Sequence, residues 1–376
     1  MTQTFTQTRT RLALLGTALL VCLALVLPAA GAAPGSERER WDTKVFSKVP
    51  RPGFPAFAYV HPNRRVYAGT YTNPQGDSER SKVFEWTKRG TLLRSWIVPG
   101  QNLEEDHGVQ VATSDAAGRL VLLEKSTSRV MVLDTEAGRR GRFTTYSRLR
   151  DLPICPPGTE PDGSCSPNAT DGPAIPNYAA WGPRGQLYVT DYGQAVIWRV
   201  PPGGGKAEPW YADPRLDGGE FGTAGLLLAP SRKALLISQQ TESQSPTPSQ
   251  GHLFKLPIRK GKGTELRTIW TSQPSDLPDG FGIGRSGRIY LANAGLTNQI
   301  VVLSPDGEEL ERFPEVPGSG ENGSEIPFDT PSNATFLGRR VMVANQSFSG
   351  DRSHHAILDV YVGERGKTVF IPDSAG

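Results

Sequence analysis

The chain has 376 residues, with 41 Lys+Arg against 38 Asp+Glu and a formal net charge of +3. That near balance leaves no electrostatic footprint for a nucleic acid or an anionic membrane as partner. Its 42 glycines and 32 prolines, set among short β-branched runs, point to an all-β fold with many turns.

In chain order, residues 1–32 read as an export signal. Arg9 and Arg11 supply a positive start, an apolar run covers 12–27, and Ala30, Gly31 and Ala32 offer small residues at a cleavage point. The run is short for a membrane span and no stop-transfer charge cluster follows it. The mature chain is therefore expected outside the cell or in the periplasm, without a membrane attachment. Cleavage removes two bases and no acid, which leaves 39 Lys+Arg against 38 Asp+Glu.

One unit then recurs. A short apolar strand leads through a tight polar turn, usually with Gly, into a second strand that ends in a small or polar residue. A third, alternating strand and a fourth follow. Copies begin at Phe54, His107, Pro176, Thr223, Pro278 and Ser332. The most regular are PNYAAWGPRGQLYVTDYGQAVIWRV from Pro176 and PDGFGIGRSGRIYLANAG from Pro278. Aligned at Asn177 and Asp279, each reaches its turn glycine eight residues on, at Gly185 and Gly287. Six four-stranded units predict an all-β, six-bladed β-propeller over 33–376, as a single domain. A β-sandwich or an open solenoid is the competing reading. Ring closure is preferred because each unit holds two hairpins and a closed ring leaves no long exposed edge.

Between the second and third units, CPPGTEPDGSC places Cys155 and Cys165 in a loop of Pro, Gly and Asp. They are the only thiols left after signal removal, and a disulfide in an oxidising compartment is predicted. The polar segment 239–250 (QQTESQSPTPSQ) reads as an insertion between strands of the fourth blade. Arg259, Lys260 and Lys262, interleaved with glycines, read as a solvated hairpin tip. Asn-X-Ser/Thr sequons stand at Asn168, Asn322, Asn333 and Asn345.

In a propeller, residues at the start of the six innermost strands converge on the channel mouth, where a metal ion or a small polar ligand can sit. Reading those positions gives Pro55 or Ala56, Asp106 with His107, Asn177, Ala224, Asp279 and Asn333. A carboxylate with amide oxygens suits a hard divalent cation, so Asp279, Asn177 and Asn333 are the candidate metal ligands. Asp279 is also the candidate general base, and Asn177 and His107 are candidate substrate-binding groups. The competing reading of these Asn and Asp residues is turn formation, in which they satisfy local backbone donors.

The phrases PNYAAWGPRGQLYVTD and LPDGFGIGRSGRIYLANAG resemble the repeats of the gluconolactonase, senescence-marker and luciferin-regenerating enzyme family, and the likeness runs through all six blades. It implies a six-bladed hydrolase of a small lactone or ester. It also implies one divalent metal (calcium, magnesium or zinc) in the channel, held by a first-blade Glu, a fourth-blade Asn and a fifth-blade Asp. A third-blade Asn assists with water or substrate. Asp279 matches the fifth-blade Asp and Asn177 the third-blade Asn, but Pro55 and Ala56 stand where the Glu belongs and Ala224 where the Asn belongs. Those two departures motivate an alternative, a non-catalytic, metal-free propeller that binds a small molecule or a protein partner. No phosphate loop, nucleophile elbow or His-Glu-X-X-His helix occurs.

Overall fold

The computed structural model describes residues 38–71, 78–243, 249–348 and 351–376, so the expected export signal lies outside the described residues. Six antiparallel blades of four main strands each form a β-propeller. The described residues contain two short 3-10 turns, Pro214–Leu216 and Arg352–His354, and no α-helix. Among them no helix is long and apolar enough to cross a membrane.

The innermost strands of blades one to six are Phe54–Val60, Val109–Ser114, Pro176–Trp181, Thr223–Leu228, Pro278–Ile283 and Thr335–Leu337. Each pairs with the next strand in sequence, and the blades build outwards from the axis. Strand burial follows this geometry. Val109–Ser114 and its partner Leu120–Glu124 are buried at every position because neighbouring blades cover both faces. Outer strands such as Leu92–Ile97 are mostly exposed. This explains the continuous apolar runs of the second strands, which read as fully buried β-structure. The glycines aligned in sequence, Gly185 and Gly287, have φ of 81° and 95°, a left-handed conformation that a side chain resists.

The ring is closed by a strand outside the six sequence units. Thr43–Lys48 forms the outer strand of the sixth blade, antiparallel to Ala356–Tyr361 near the other end of the chain. Just before it, Trp41 stacks on Phe313 of the fifth blade at 4.6 Å, and Arg40 pairs with Glu311 at 2.6 Å. Two distant segments of chain thereby share one sheet, and the sixth blade is completed without exposing its third strand.

The predicted Cys155–Cys165 disulfide is formed, with Cα atoms 4.8 Å apart. Arg259 pairs with Lys262 across a tight turn, the expected basic hairpin tip. Of the four sequon asparagines, Asn322, Asn333 and Asn345 are buried, which removes them as glycan acceptors in the folded protein.

Candidate functional site at the strand-start end of the channel

In blades one, three, four and five the inner strand slips against its neighbour just after its start. The shifts fall between Pro55 and Ala58, Pro176 and Ala179, Thr223 and Leu226, and Pro278 and Phe281. A bulge of this kind releases a residue from the ladder and re-aims it. Ala56, Asn177, Ala224 and Asp279 therefore occupy equivalent positions, as the sequence alignment has them.

The other two blades differ from the sequence reading. Val109 lies opposite Glu124, and Pro331 opposite Asn345, as Pro278 lies opposite Asn293. The equivalent residues are thus Gln110 and Ser332, not Asp106, His107 or Asn333. His107 is buried, with Nδ1 3.1 Å from the Glu105 carbonyl and Nε2 2.7 Å from that of Glu79. Asp106 is exposed and pairs with Lys125 at 3.1 Å. Asn333 braces the sixth blade against the first. Its Oδ1 accepts from the amides of Ala58 and Ala344, both at 3.0 Å, and its Nδ2 donates to Thr335 and the Met342 carbonyl.

Asp279 is the centre of a different cluster. Its side chain is buried, 5% exposed, yet both oxygens have donors. Tyr178 Oη reaches Oδ1 at 2.8 Å from the third blade, and Gln240 Nε2 reaches Oδ2 at 3.0 Å from the fourth. Tyr192 Oη donates to Gln240 Oε1 at 2.5 Å and so fixes the direction of that amide. Two glycines permit this packing. A Cβ on Gly280 would lie 2.4 Å from Tyr178 Oη, and one on Gly225 would lie 2.6 Å from the Asp279 carbonyl oxygen. Asn177, the residue before Tyr178, is half-buried and accepts or donates no side-chain hydrogen bond among the described residues.

Burial pushes the Asp279 carboxyl up to about 7, against the opposing pull of Tyr178, Gln240 and the Gly280 N–H. Burial also raises the phenols of Tyr71, Tyr178 and Tyr192, and the Asp279 charge raises them further. All three keep their protons; Tyr178 and Tyr192 serve as neutral donors, to Asp279 and to Gln240. Tyr71 Oη is buried and has no hydrogen-bond partner among the described residues. The cluster therefore combines one carboxyl poised near neutrality with an uncommitted O–H donor.

The donor set does not fit a divalent cation. Two of the six ring positions, Ala56 and Ala224, offer only methyl groups, and Ser332 Oγ already donates to the Ala56 carbonyl at 2.7 Å. Asp279 is the sole carboxylate of the ring. The described residues contain no group of three or more His, Cys, Asp or Glu side chains placed to hold a metal. Calcium takes about six to eight oxygen ligands, and magnesium a near-octahedral set.

Tyr71, Tyr192 and Gln240 are absent from the sequence reading. All three stand at or just beyond the end of a second strand (Val66–Tyr71, Leu187–Asp191 and Ala234–Gln239). The residues opposite the inner-strand starts, Thr70, Glu124, Asp191, Gln239, Asn293 and Asn345, are all polar and all fully buried. Asp191 shows what such a position can do structurally. Its carboxyl accepts from the amides of Ile175, Gly193 and Gln194 and from the Trp198 indole at 2.7–3.1 Å, which clamps a loop.

No family model and no curated protein sequence matches the chain. Solved structures do match it in fold. A luciferin-regenerating enzyme superposes with a TM-score of 0.55 at 13% identity, covering 85% of this chain and 95% of its own. A calcium-binding protein, regucalcin, from Agrobacterium tumefaciens gives 0.54 at 14% identity, over 87% and 98%. A provisionally assigned gluconolactonase gives 0.54 at 17% identity, over 87% and 94%. At these identities the likeness establishes the architecture: the chain is a six-bladed β-propeller of the shape found in gluconolactonases, regucalcin and luciferin-regenerating enzyme.

Proposed function

We propose that the protein is a hydrolase of a small lactone or ester, with Asp279 as its acid–base group and no step that requires a channel metal. The observation that carries this reading is the buried Asp279 carboxyl, raised to about 7 and held between Tyr178 and Gln240. A general base is most effective when its pKa lies near the working pH. Each carboxylate oxygen has two lone-pair directions, so the bonds from Tyr178 and Gln240 leave acceptor capacity for a water.

Ionised Asp279 takes a proton from that water as the water oxygen attacks the substrate carbonyl carbon. The carbonyl π electrons move to oxygen, where the neutral Tyr71 hydroxyl donates a hydrogen bond to the developing charge. Collapse re-forms the carbonyl and breaks the C–O bond, and protonated Asp279 returns the proton to the leaving alkoxide. Asn177, with its amide uncommitted, is the substrate-orienting group of this scheme.

The slight exposure of Asp279 favours a second reading, a metal-free propeller that binds a small molecule without turnover. The two separate in one experiment. The purified protein, treated with a chelator, is assayed on a panel of aliphatic and sugar lactones and aryl esters, beside Asp279→Asn. Turnover that survives chelation and falls by roughly 10²–10⁴ in the variant is expected. Absence of turnover on every substrate supports the binding reading, and turnover abolished by the chelator and restored by calcium or magnesium overturns the metal-free scheme.

A further inference from the structure

The other end of the channel is built quite differently. There the inner strands finish, and the turns that follow them enclose a cavity of 1290 Å³. Its walls include the rings of Phe57, Tyr59, Trp181, Phe281 and Phe336. Its rim carries Arg64, Arg232, Arg285, Arg339, Arg365 and Lys367, all exposed, while Asp373 is the sole acidic residue of the lining.

None of those six cations forms an ion pair among the described residues. Several arginines elsewhere are paired, as Arg65 and Arg94 are with Glu85, Arg119 with Asp115, Arg129 with Glu124, and Arg312 with Asp276. Six unneutralised positive side chains around one concavity repel each other and focus a positive field on its interior.

The chain's last described segment runs across this opening. Lys367 N–H donates to the Ile283 carbonyl on the fifth blade, and Ala116 N–H on the second blade donates to the Ala375 carbonyl. Between these anchors the Arg232 guanidinium of the fourth blade lies 4.1 Å from the Phe370 ring centroid. The strap roofs an apolar interior and sets Arg365 and Lys367 at its edge, so the cavity has a greasy body and a cationic entrance.

We infer that this cavity is a binding site for an amphipathic organic anion, a molecule with an apolar chain or ring system and one carboxylate, sulfate or phosphate head. The apolar part lies against Phe57, Phe281 and Phe336, and the head is held by the guanidinium groups of Arg285, Arg339 and Arg365, which can bind oxyanions bidentately. The cavity opens at the opposite end of the channel from the Asp279 carboxyl and meets that cluster only at Tyr178, which is part of its lining. The cationic rim that holds the head group takes no part in the proposed hydrolysis.

The test uses isothermal titration of the mature protein with dodecanoate and with dodecyl sulfate, beside uncharged dodecanol and beside inorganic phosphate. Saturable one-to-one binding of an anionic amphiphile is expected, with dodecanol and phosphate each bound at least tenfold more weakly. Whether dodecanoate or dodecyl sulfate binds more tightly identifies the head group. The triple variant Arg285→Ala, Arg339→Ala, Arg365→Ala should weaken that binding by roughly tenfold, because exposed charge pairs each contribute modestly. These side chains make no ion pairs, so the variant is expected to melt like the parent protein. Asp279→Asn should bind the amphiphile unchanged, which separates this site from the hydrolase reading. Dodecanol binding as tightly as dodecanoate, an undiminished affinity in a folded triple variant, or no saturable binding of either anion overturns the assignment.

Discussion

Tyr178 Oη stands 2.8 Å from Asp279 Oδ1 and 2.9 Å from the Ser332 carbonyl oxygen, so a single phenolic proton faces two acceptors. With Asp279 ionised, the proton belongs to the carboxylate, and the Ser332 carbonyl retains the Gly280 N–H at 2.8 Å. With Asp279 protonated, its own hydroxyl can donate to Tyr178, whose proton then turns to Ser332. Both protonation states find a complete set of partners, so the cluster can exchange a proton without repacking.

A pH dependence of stability follows. Asp279 titrates near 7 in the folded protein but near 3.9 in an unfolded chain. Between those values the folded state holds a proton that the unfolded state has released, so stability falls as pH rises through this window and levels off above about 7. Asp191, which burial also pushes up to about 7, acts in the same direction. Asp279→Asn should therefore remove only part of the slope, making the variant more stable than the parent at pH 8 by a few kcal/mol at most. Urea unfolding at pH 5 and pH 8 measures this. An unchanged slope in the variant counts against a raised Asp279.

Activity should run the opposite way. The proposed base is ionised Asp279, so kcat/KM is expected to rise with pH through about 7 and then flatten. A rate already at its plateau at pH 5 would show that Asp279 is ionised in the free protein or is not the base.

Tyr71→Phe separates a catalytic hydroxyl from a structural one. The Tyr71 hydroxyl is buried without a partner among the described residues, so its removal leaves no acceptor stranded and should change the melting temperature little or raise it. If the hydroxyl stabilises the developing oxyanion, kcat should fall by roughly 10²–10³ with KM nearly unchanged. Loss of stability without loss of kcat would assign Tyr71 to packing alone.

How far the site could be read from sequence depended on how regular each blade is. Blades three and five share a leading proline, a five-residue turn and a turn glycine, which fixed Asn177 and Asp279 at equivalent positions. The sixth blade joins Thr335–Leu337 to Arg340–Asn345 through Gly338 and Arg339 alone, so the eight-residue spacing of blades three and five, counted back from Gly338, lands on Thr330 and does not locate Ser332. The second blade has no proline at its strand start, and a unit begun at His107 starts three residues early, although Gln110 stands eight residues before the turn glycine Gly118, as Asn177 and Asp279 do before theirs. Tyr71, Tyr192 and Gln240 escaped notice because their role arises from contacts between blades, which no single repeat displays. The closing strand Thr43–Lys48 lies outside the repeats and acquires meaning only when the ring meets itself.

That closure carries the last prediction. Trp41 stacks on Phe313 and donates through its indole to Glu311, and Glu311 also pairs with Arg40. These contacts tie the first described residues to the fifth blade, next to the point where Thr43–Lys48 joins the sixth. Trp41→Ala removes the stack and leaves Glu311 with the Arg40 pair alone, at an expected cost of about 2–3 kcal/mol. Because the strand holds the ring shut, the loss should also let the sixth blade open before the rest unfolds. Hydrogen exchange should show this as faster exchange confined to Ala356–Tyr361 and Arg340–Asn345, while amides of the third blade keep the parent's protection. Uniformly faster exchange in all blades would mean that the ring unfolds as one unit and that closure is not its weak seam.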